Sequence, residues 1–161
     1  DLIHQVSEIT EWSVELLDVS CWSELCIRRY AQQLWITPRE LPVVGSVPHV
    51  VRSANDQIDL EEGRLVACAA KDGIPKAACD EGRVSIHHHA EGCRYRLLGR
   101  EGERRFKQLC QELGIPSWSR MLQPLVMLDD SLWAIGNHRV SAPSGLAENQ
   151  AFEFEWESAW S

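Results

Sequence analysis

The chain has 161 residues, 44% of them apolar and 25% charged, proportions that supply a real hydrophobic core and exclude a disordered, collagen-like or coiled-coil chain. Its longest unbroken apolar run, Leu65 to Ala70, covers six residues against the ~20 that cross a bilayer, and no basic segment followed by an apolar stretch marks a secretion signal at the N-terminus. The formal net charge of −8, from 16 basic and 24 acidic residues, discourages indiscriminate adsorption to nucleic acid or anionic lipid.

Leu2, Ile3, Val6 and Ile9 recur at helical spacing and predict one short amphipathic helix. Glu24–Tyr30 and Gln33–Ile36 predict a hairpin turning at Ala31-Gln32, because Leu25, Ile27, Leu34 and Ile36 alternate as strand residues do. Pro38, Pro42, Pro48 and an intervening glycine resist helix and central strand alike. The domain boundary is placed there: residues 1–37 end one domain, 38–55 form a linker and 56–161 form a second domain. A second hairpin is expected from Gln57–Leu60 and Arg64–Ala69 across Glu61-Glu62-Gly63, then a turn-rich stretch from Lys71 to Gly82 and a strand over Val84–His89. Between Glu103 and Leu113 the period changes. Phe106, Leu109, Cys110 and Leu113 fall at i, i+3, i+4 and i+7, the stripe of an amphipathic helix, which Gly114 and Pro116 stop. Leu125–Leu128 and Leu132–Ile135 around Asp129-Asp130-Ser131 predict a third hairpin. Phe152, Phe154 and Trp156 alternate with Glu153, Glu155 and Glu157 in a final half-buried strand. The fold class that follows is α+β: a small mixed-sheet domain with one main amphipathic helix, preceded by the end of a helical and hairpin domain.

Charge is unevenly spread. Arg94, Arg96, Arg100, Arg104, Arg105 and Lys107 stand against only Glu101 and Glu103 in one strip, a local +4 that leaves −12 for the rest. Gly99-Arg100-Glu101-Gly102 is expected to lead into the helix N-terminus, where free N–H groups and the helix dipole favour a phosphate. Arg104, Arg105 and Lys107 lie off the apolar stripe, and phosphate contacts of this kind position a nucleic acid without reading its sequence. The strip equally fits a solvated helix whose arginines pair with Glu101, Glu103 and Glu112. Trp118 reads as a core plug. Arg120, between a helix end and the strand that Pro124 starts, has a fork suited to a carboxylate or a phosphate.

Six cysteines without any C-x-x-C spacing draw neither a zinc ribbon nor a thioredoxin motif, and are read as reduced, mostly buried thiols. On a strand His87 and His89 face one way and His88 the other, so with Cys93 at most three ligands gather, and no metal site is expected. G-x-S-x-G, G-x-x-x-x-G-K-[ST] and G-x-G-x-x-G are absent, and no catalytic residue is assigned.

The run Gly99-Arg100-x-Gly102-x-Arg104-Arg105-Phe106-Lys107-x-Leu109, continued by Glu112-Leu113-Gly114-Ile115-Pro116-x-Trp118-x-Arg120 and Pro124-Leu125, resembles the C-terminal domain of bacterial tRNA(Ile)-lysidine synthetases. Ala147-Glu148 through Trp156 is similar to the tail of their proteobacterial members. Ile27-Arg28-Arg29-Tyr30 with Leu34-Trp35 is similar to the strand pair that ends their middle domain. In that family an N-terminal PP-loop domain uses ATP and Mg to adenylate the wobble cytidine of a CAU anticodon, and lysine displaces AMP to give lysidine.

The PP-loop signature S-G-G-x-D-S does not occur here, and the chain opens at Asp1 rather than Met. The resemblance therefore implies a C-terminal fragment that holds the tRNA-binding part of a cytoplasmic ligase, with no cofactor of its own. It implies as partners the isoleucine tRNA with a CAU anticodon and the catalytic PP-loop domain, but neither DNA nor a membrane. Carried over by position, Arg100, Arg104, Arg105, Lys107 and Arg120 contact RNA at the acceptor stem, and Gly99, Gly102, Trp118 and Pro124 support the loops. Ser119 departs from an apolar and Met121 from an acidic position of the family, so a carboxylate beside Arg120 is missing. His87–His89 supply charge only as pH falls toward ~6.5. A reading from another class makes the domain an assembly element that braces the catalytic domain or a homodimer partner.

Overall fold

A computed structural model describes residues 18–22, 24–45, 48–53, 57–88, 92–142 and 151–159. The helix expected around Leu2 to Ile9 and the last residue of the His87–His89 strand lie outside the described residues. The chain divides into two compact units, Asp1–Leu41 and Pro42–Ala159.

The first unit contains an antiparallel meander of β1 (Asp18–Trp22), β2 (Leu25–Tyr30) and β3 (Gln33–Pro38). The expected hairpin forms, with Tyr30 opposite Gln33. Ala31 in its two-residue turn has φ 53, the left-handed conformation that matches the twist of the flanking strands. Cys26 is disulfide-bonded and stands directly opposite Cys21 in the ladder. This corrects the reading of six reduced thiols. Antiparallel pairing brings two Cα atoms within disulfide reach, a proximity that sequence spacing does not announce.

The second unit is α+β and mostly sheet. Its chain order is β4 (His49–Val51), β5 (Gln57–Leu60), β6 (Gly63–Ala70), β7 (Ile74–Pro75), α1 (Lys76–Asp80), β8 (Val84–His87), β9 (Arg94–Arg96) and β10 (Glu103–Arg105). Then come α2 (Phe106–Glu112), a 3-10 turn (Ser117–Leu122), β11 (Leu125–Leu128), β12 (Ser131–Ile135), β13 (His138–Arg139) and β14 (Ala151–Ser158). A five-stranded sheet runs β13-β12-β11-β8-β4, a four-stranded sheet runs β5-β6-β14-β7, and β10-β9 form a separate ribbon.

The five-stranded sheet is the middle layer. Val84, Ile86, Val126 and Leu128 pack against Ile58, Leu65, Phe152, Phe154 and Trp156 of the other sheet. Leu125, Met127, Leu132 and Ile135 join the opposite core, with Phe106, Leu109 and Cys110 of α2. Burial on both faces is why Leu125-Val126-Met127-Leu128 is apolar without interruption. In β12 a bulge alters the alternation: Val126 pairs with Ala134 but Met127 with Leu132, so Trp133 and Ala134 share one core while Leu132 and Ile135 share the other, as an extra residue in one strand requires. The alternation read in β14 is present, with Phe152, Phe154 and Trp156 buried and the three glutamates exposed.

The turn-rich stretch after Lys71 contains a short strand and α1, whose Ala78 and Cys79 are fully buried. His88 has a structural partner. It hydrogen-bonds Glu62, whose side chain is 1% exposed at the β5–β6 turn, and so gives a polar group otherwise costly to bury a partner.

Candidate nucleic-acid interface

The main departure from the sequence reading falls on the cationic strip. Glu103–Arg105 is a strand and not the first turn of a helix: Glu103, Arg104 and Arg105 pair with Arg96, Tyr95 and Arg94. A helix of seven residues draws most of its stability from tertiary packing, so the pairing partner decides where it starts. Arg105 is its N-cap in an extended conformation, and the Phe106 N–H donates to the Cys93 carbonyl at 3.5 Å. The expected phosphate site at the helix N-terminus is therefore corrected: the glycines precede a strand, and the helix start faces backbone.

Directly opposite residues of an antiparallel ladder share a face. Tyr95 and Arg104 share one. Tyr95 packs edge-on against Phe106, with ring centroids 5.9 Å apart, and Arg104 pairs with Glu112. Arg94 and Arg105 share the other face, two cations side by side. Like charges in this position destabilise a ladder unless something anionic lies between or above them. The ribbon is anchored through Leu97, 3% exposed, and through bonds from Leu98 N to Leu132 O (3.1 Å) and Ala142 N to Leu98 O (2.9 Å).

Beyond α2, Gly114 turns at φ 71 and the Ile115 N–H donates to the Cys110 carbonyl at 2.8 Å. Pro116 opens the 3-10 turn, where the Ser119 N–H and hydroxyl both donate to the Pro116 carbonyl, at 3.1 and 3.2 Å. This turn carries Arg120 and Met121 to the same place as the ribbon. A cleft of about 830 Å³ results, lined by Arg94, Arg105, Lys107, Arg120 and Met121, with no carboxylate in its lining among the described residues. Among the described residues none of these four cations makes an ion pair. Arg94, Arg105 and Lys107 reach solvent, whereas Arg120 is partly buried and its Nε has no hydrogen-bond partner.

The nearby Cys110 offers Arg120 no counter-charge. Burial pushes its thiol up to about 11, against the opposite pull of the Arg120 guanidinium. The unfolded thiol ionises near 9, so between pH 9 and 11 the unfolded chain loses a proton that the folded one keeps, and stability falls as pH rises. The expected loss is about 2 kcal/mol. Cys68, also pushed up by burial and then by Glu155, Glu153 and Glu157, acts with the same sign. Urea unfolding of Cys110→Ala and wild type at pH 8 and pH 11 checks this, and a pH dependence as steep in the variant as in wild type would contradict it.

Of the expected contact residues, the structure thus brings together Arg105, Lys107 and Arg120. Arg100 is exposed in the β9–β10 connection. Gly99 and Gly102 shape that connection, at φ 71 and 77, and a Cβ on Gly99 would meet the Ala142 Cβ at 3.0 Å. Pro124 is fully buried, and its carbonyl accepts from Gly136 N at 2.8 Å. Trp118 is partly buried in the 3-10 turn. The added residue is Arg94, visible in the sequence as part of the strip but assigned to the cleft only by its register with Arg105. His87 brings no charge: burial first, and His88 second, hold its imidazole below the ordinary value. Among the described residues no three His, Cys, Asp or Glu side chains gather as a metal set.

Residues 84–156 match the family described as the TilS substrate C-terminal domain. The chain is 34% identical over 118 residues to a tRNA(Ile)-lysidine synthase of Photobacterium profundum, covering 71% of this chain and 27% of that protein. Identity to the tRNA(Ile)-lysidine synthase of Escherichia coli O157:H7 is 32% over 135 residues, or 81% of this chain and 30% of that one. For Serratia proteamaculans the figures are 31% over 138 residues, 83% and 29%. The chain spans about three-tenths of the length of these curated relatives.

Proposed function

Because the chain belongs, through residues 84–156, to the TilS substrate C-terminal domain family, we propose that it is the RNA-binding part of a tRNA(Ile)-lysidine synthase. It docks the acceptor stem of the isoleucine tRNA that bears a CAU anticodon. Ligation of lysine to the wobble cytidine, with ATP and Mg, belongs in this reading to a PP-loop domain of the longer cytoplasmic protein, and no catalytic step is assigned to the residues in hand. The observation that carries the reading is the cleft itself: Arg94, Arg105, Lys107 and Arg120 with no acidic lining among the described residues, in a chain whose net charge is −8. Arg100, exposed on the adjoining turn, extends the contact, while Arg104 engages RNA only on leaving Glu112. Such a surface recognises A-form RNA by backbone and shape.

Four neutralised phosphates give a salt slope of roughly −3 to −4, so raising salt from 50 to 200 mM is expected to weaken binding about a hundredfold. Fluorescence anisotropy with a labelled acceptor-stem duplex measures this, and an affinity flat across that range defeats the proposal. A second reading, as an assembly element, draws on the exposed Leu34 and Ile36, which share one face of β3, an apolar pair suited to a protein partner. Sedimentation of the chain with and without the PP-loop domain discriminates, since only the second reading requires a complex in the absence of RNA.

A further inference from the structure

The four cations of the cleft are not equivalent. Arg94, Arg105 and Lys107 reach solvent, and a phosphodiester rail passing over the surface can meet them. Arg120 is recessed, its Nε shut away from solvent without an acceptor. Buried donors are almost always paired, and a partly buried guanidinium without an anion beside it is costly. Among the described residues no acid lines the cleft, and the Cys110 thiol is neutral at neutral pH because burial pushes it up to about 11. An external anion in the cleft would give the Arg120 guanidinium, which lines it, a counter-charge.

Size narrows it further. About 830 Å³ accommodates a group of nucleotide dimensions and is far too small for a double helix. The rail of a duplex lies along its flank, so Arg120 is met only by a phosphate that projects from a chain end. A terminal monoester also carries more charge than a bridging diester, ≈ −1.5 to −2 near neutral pH, which suits a recess that the paired Arg94 and Arg105 make more positive.

We propose that this cleft is a seat for a terminal phosphate monoester of RNA, the 5′-phosphate at the open end of the acceptor stem, with Arg120 at its floor and Arg94 and Arg105 at its side. The inference rests on the RNA-binding reading above and adds to it that the end of the stem is inspected as well as its flank. A stem that lacks the phosphate leaves Arg120 unpaired.

The test uses the whole chain and two acceptor-stem duplexes of identical sequence, one with a 5′-monophosphate and one with a 5′-hydroxyl, at fixed ionic strength. The phosphorylated RNA is expected to bind about tenfold more tightly, the worth of one charge-assisted hydrogen bond. Arg120→Gln should shrink that ratio to within about twofold. Millimolar inorganic phosphate, with ionic strength held constant, should erase the ratio in wild type. Equal affinity of the wild-type chain for both RNAs, with the steep salt dependence intact, would overturn the terminal seat and leave the RNA-binding reading standing. If neither RNA binds, the RNA-binding reading fails as well. Binding of inorganic phosphate or a nucleoside monophosphate by a chain that binds neither RNA would make the ligand a free phosphate and likewise overturn the proposal.

Discussion

Reversing two charges in the cleft, Arg105→Glu together with Lys107→Glu, is expected to weaken binding of an acceptor-stem duplex roughly a hundredfold at about 100 mM salt. Both side chains reach solvent and make no ion pair with a described residue, so the substitutions break nothing in the fold. The loss should be similar for stems of different sequence, because phosphate contacts position RNA without reading it. The carboxylate introduced by Arg105→Glu would also stand opposite Arg94 in the ladder, a favourable cross-strand pair, so thermal stability should hold or rise while affinity falls. The same reversal at Arg104 is expected to weaken binding less, since Arg104 already faces Glu112. Equal losses at Arg104 and Arg105 would contradict the assignment of the cleft.

Arg139→Ala is expected to cost the second unit about 3 kcal/mol, more than any exposed arginine. Its guanidinium donates to the Asp72 carbonyl at 2.5 Å, the Asp72 carboxylate at 3.1 Å, the Ser141 hydroxyl at 3.0 Å and the Ala142 carbonyl at 3.2 Å. It also lies 4.4 Å from the ring centroid of Trp133. The ion pair with Asp72 is half-exposed and worth little by itself. The large share comes from two backbone carbonyls losing a charged donor and from the bulged Trp133 losing its cation. Arg139→Lys keeps the charge but not the fork and should recover less than half of the loss. Urea unfolding monitored by tryptophan fluorescence measures both, and a midpoint for Arg139→Ala within error of wild type would sink the claim.

Nothing in the sequence marks Arg139 for this role, and the reason is physical. Its partners lie at Asp72, Trp133 and Ala142, brought together only when two sheets close on each other. The same applies to Glu62, one of two adjacent turn glutamates, whose carboxylate is buried against His88. The strip from Arg94 to Lys107 was legible as a concentration of positive charge, but its geometry was not. The apolar stripe that predicts a helix over Glu103–Leu113 begins at Phe106, and nothing in its spacing says that the three preceding residues are claimed by a strand.

Local pattern by itself determined the three hairpins, the amphipathic helix from Phe106 onward and the alternating last strand, because each depends on residues a few positions apart whose side chains must face a core. Tertiary structure alone decided that Arg94 stands beside Arg105, that Arg104 turns to Glu112, that Cys26 is bonded, and that the Arg120 Nε is buried without a hydrogen-bond partner. Those outcomes depend on strand register and on which surfaces meet. Both are settled by packing free energy summed over distant segments, which no window along the chain contains.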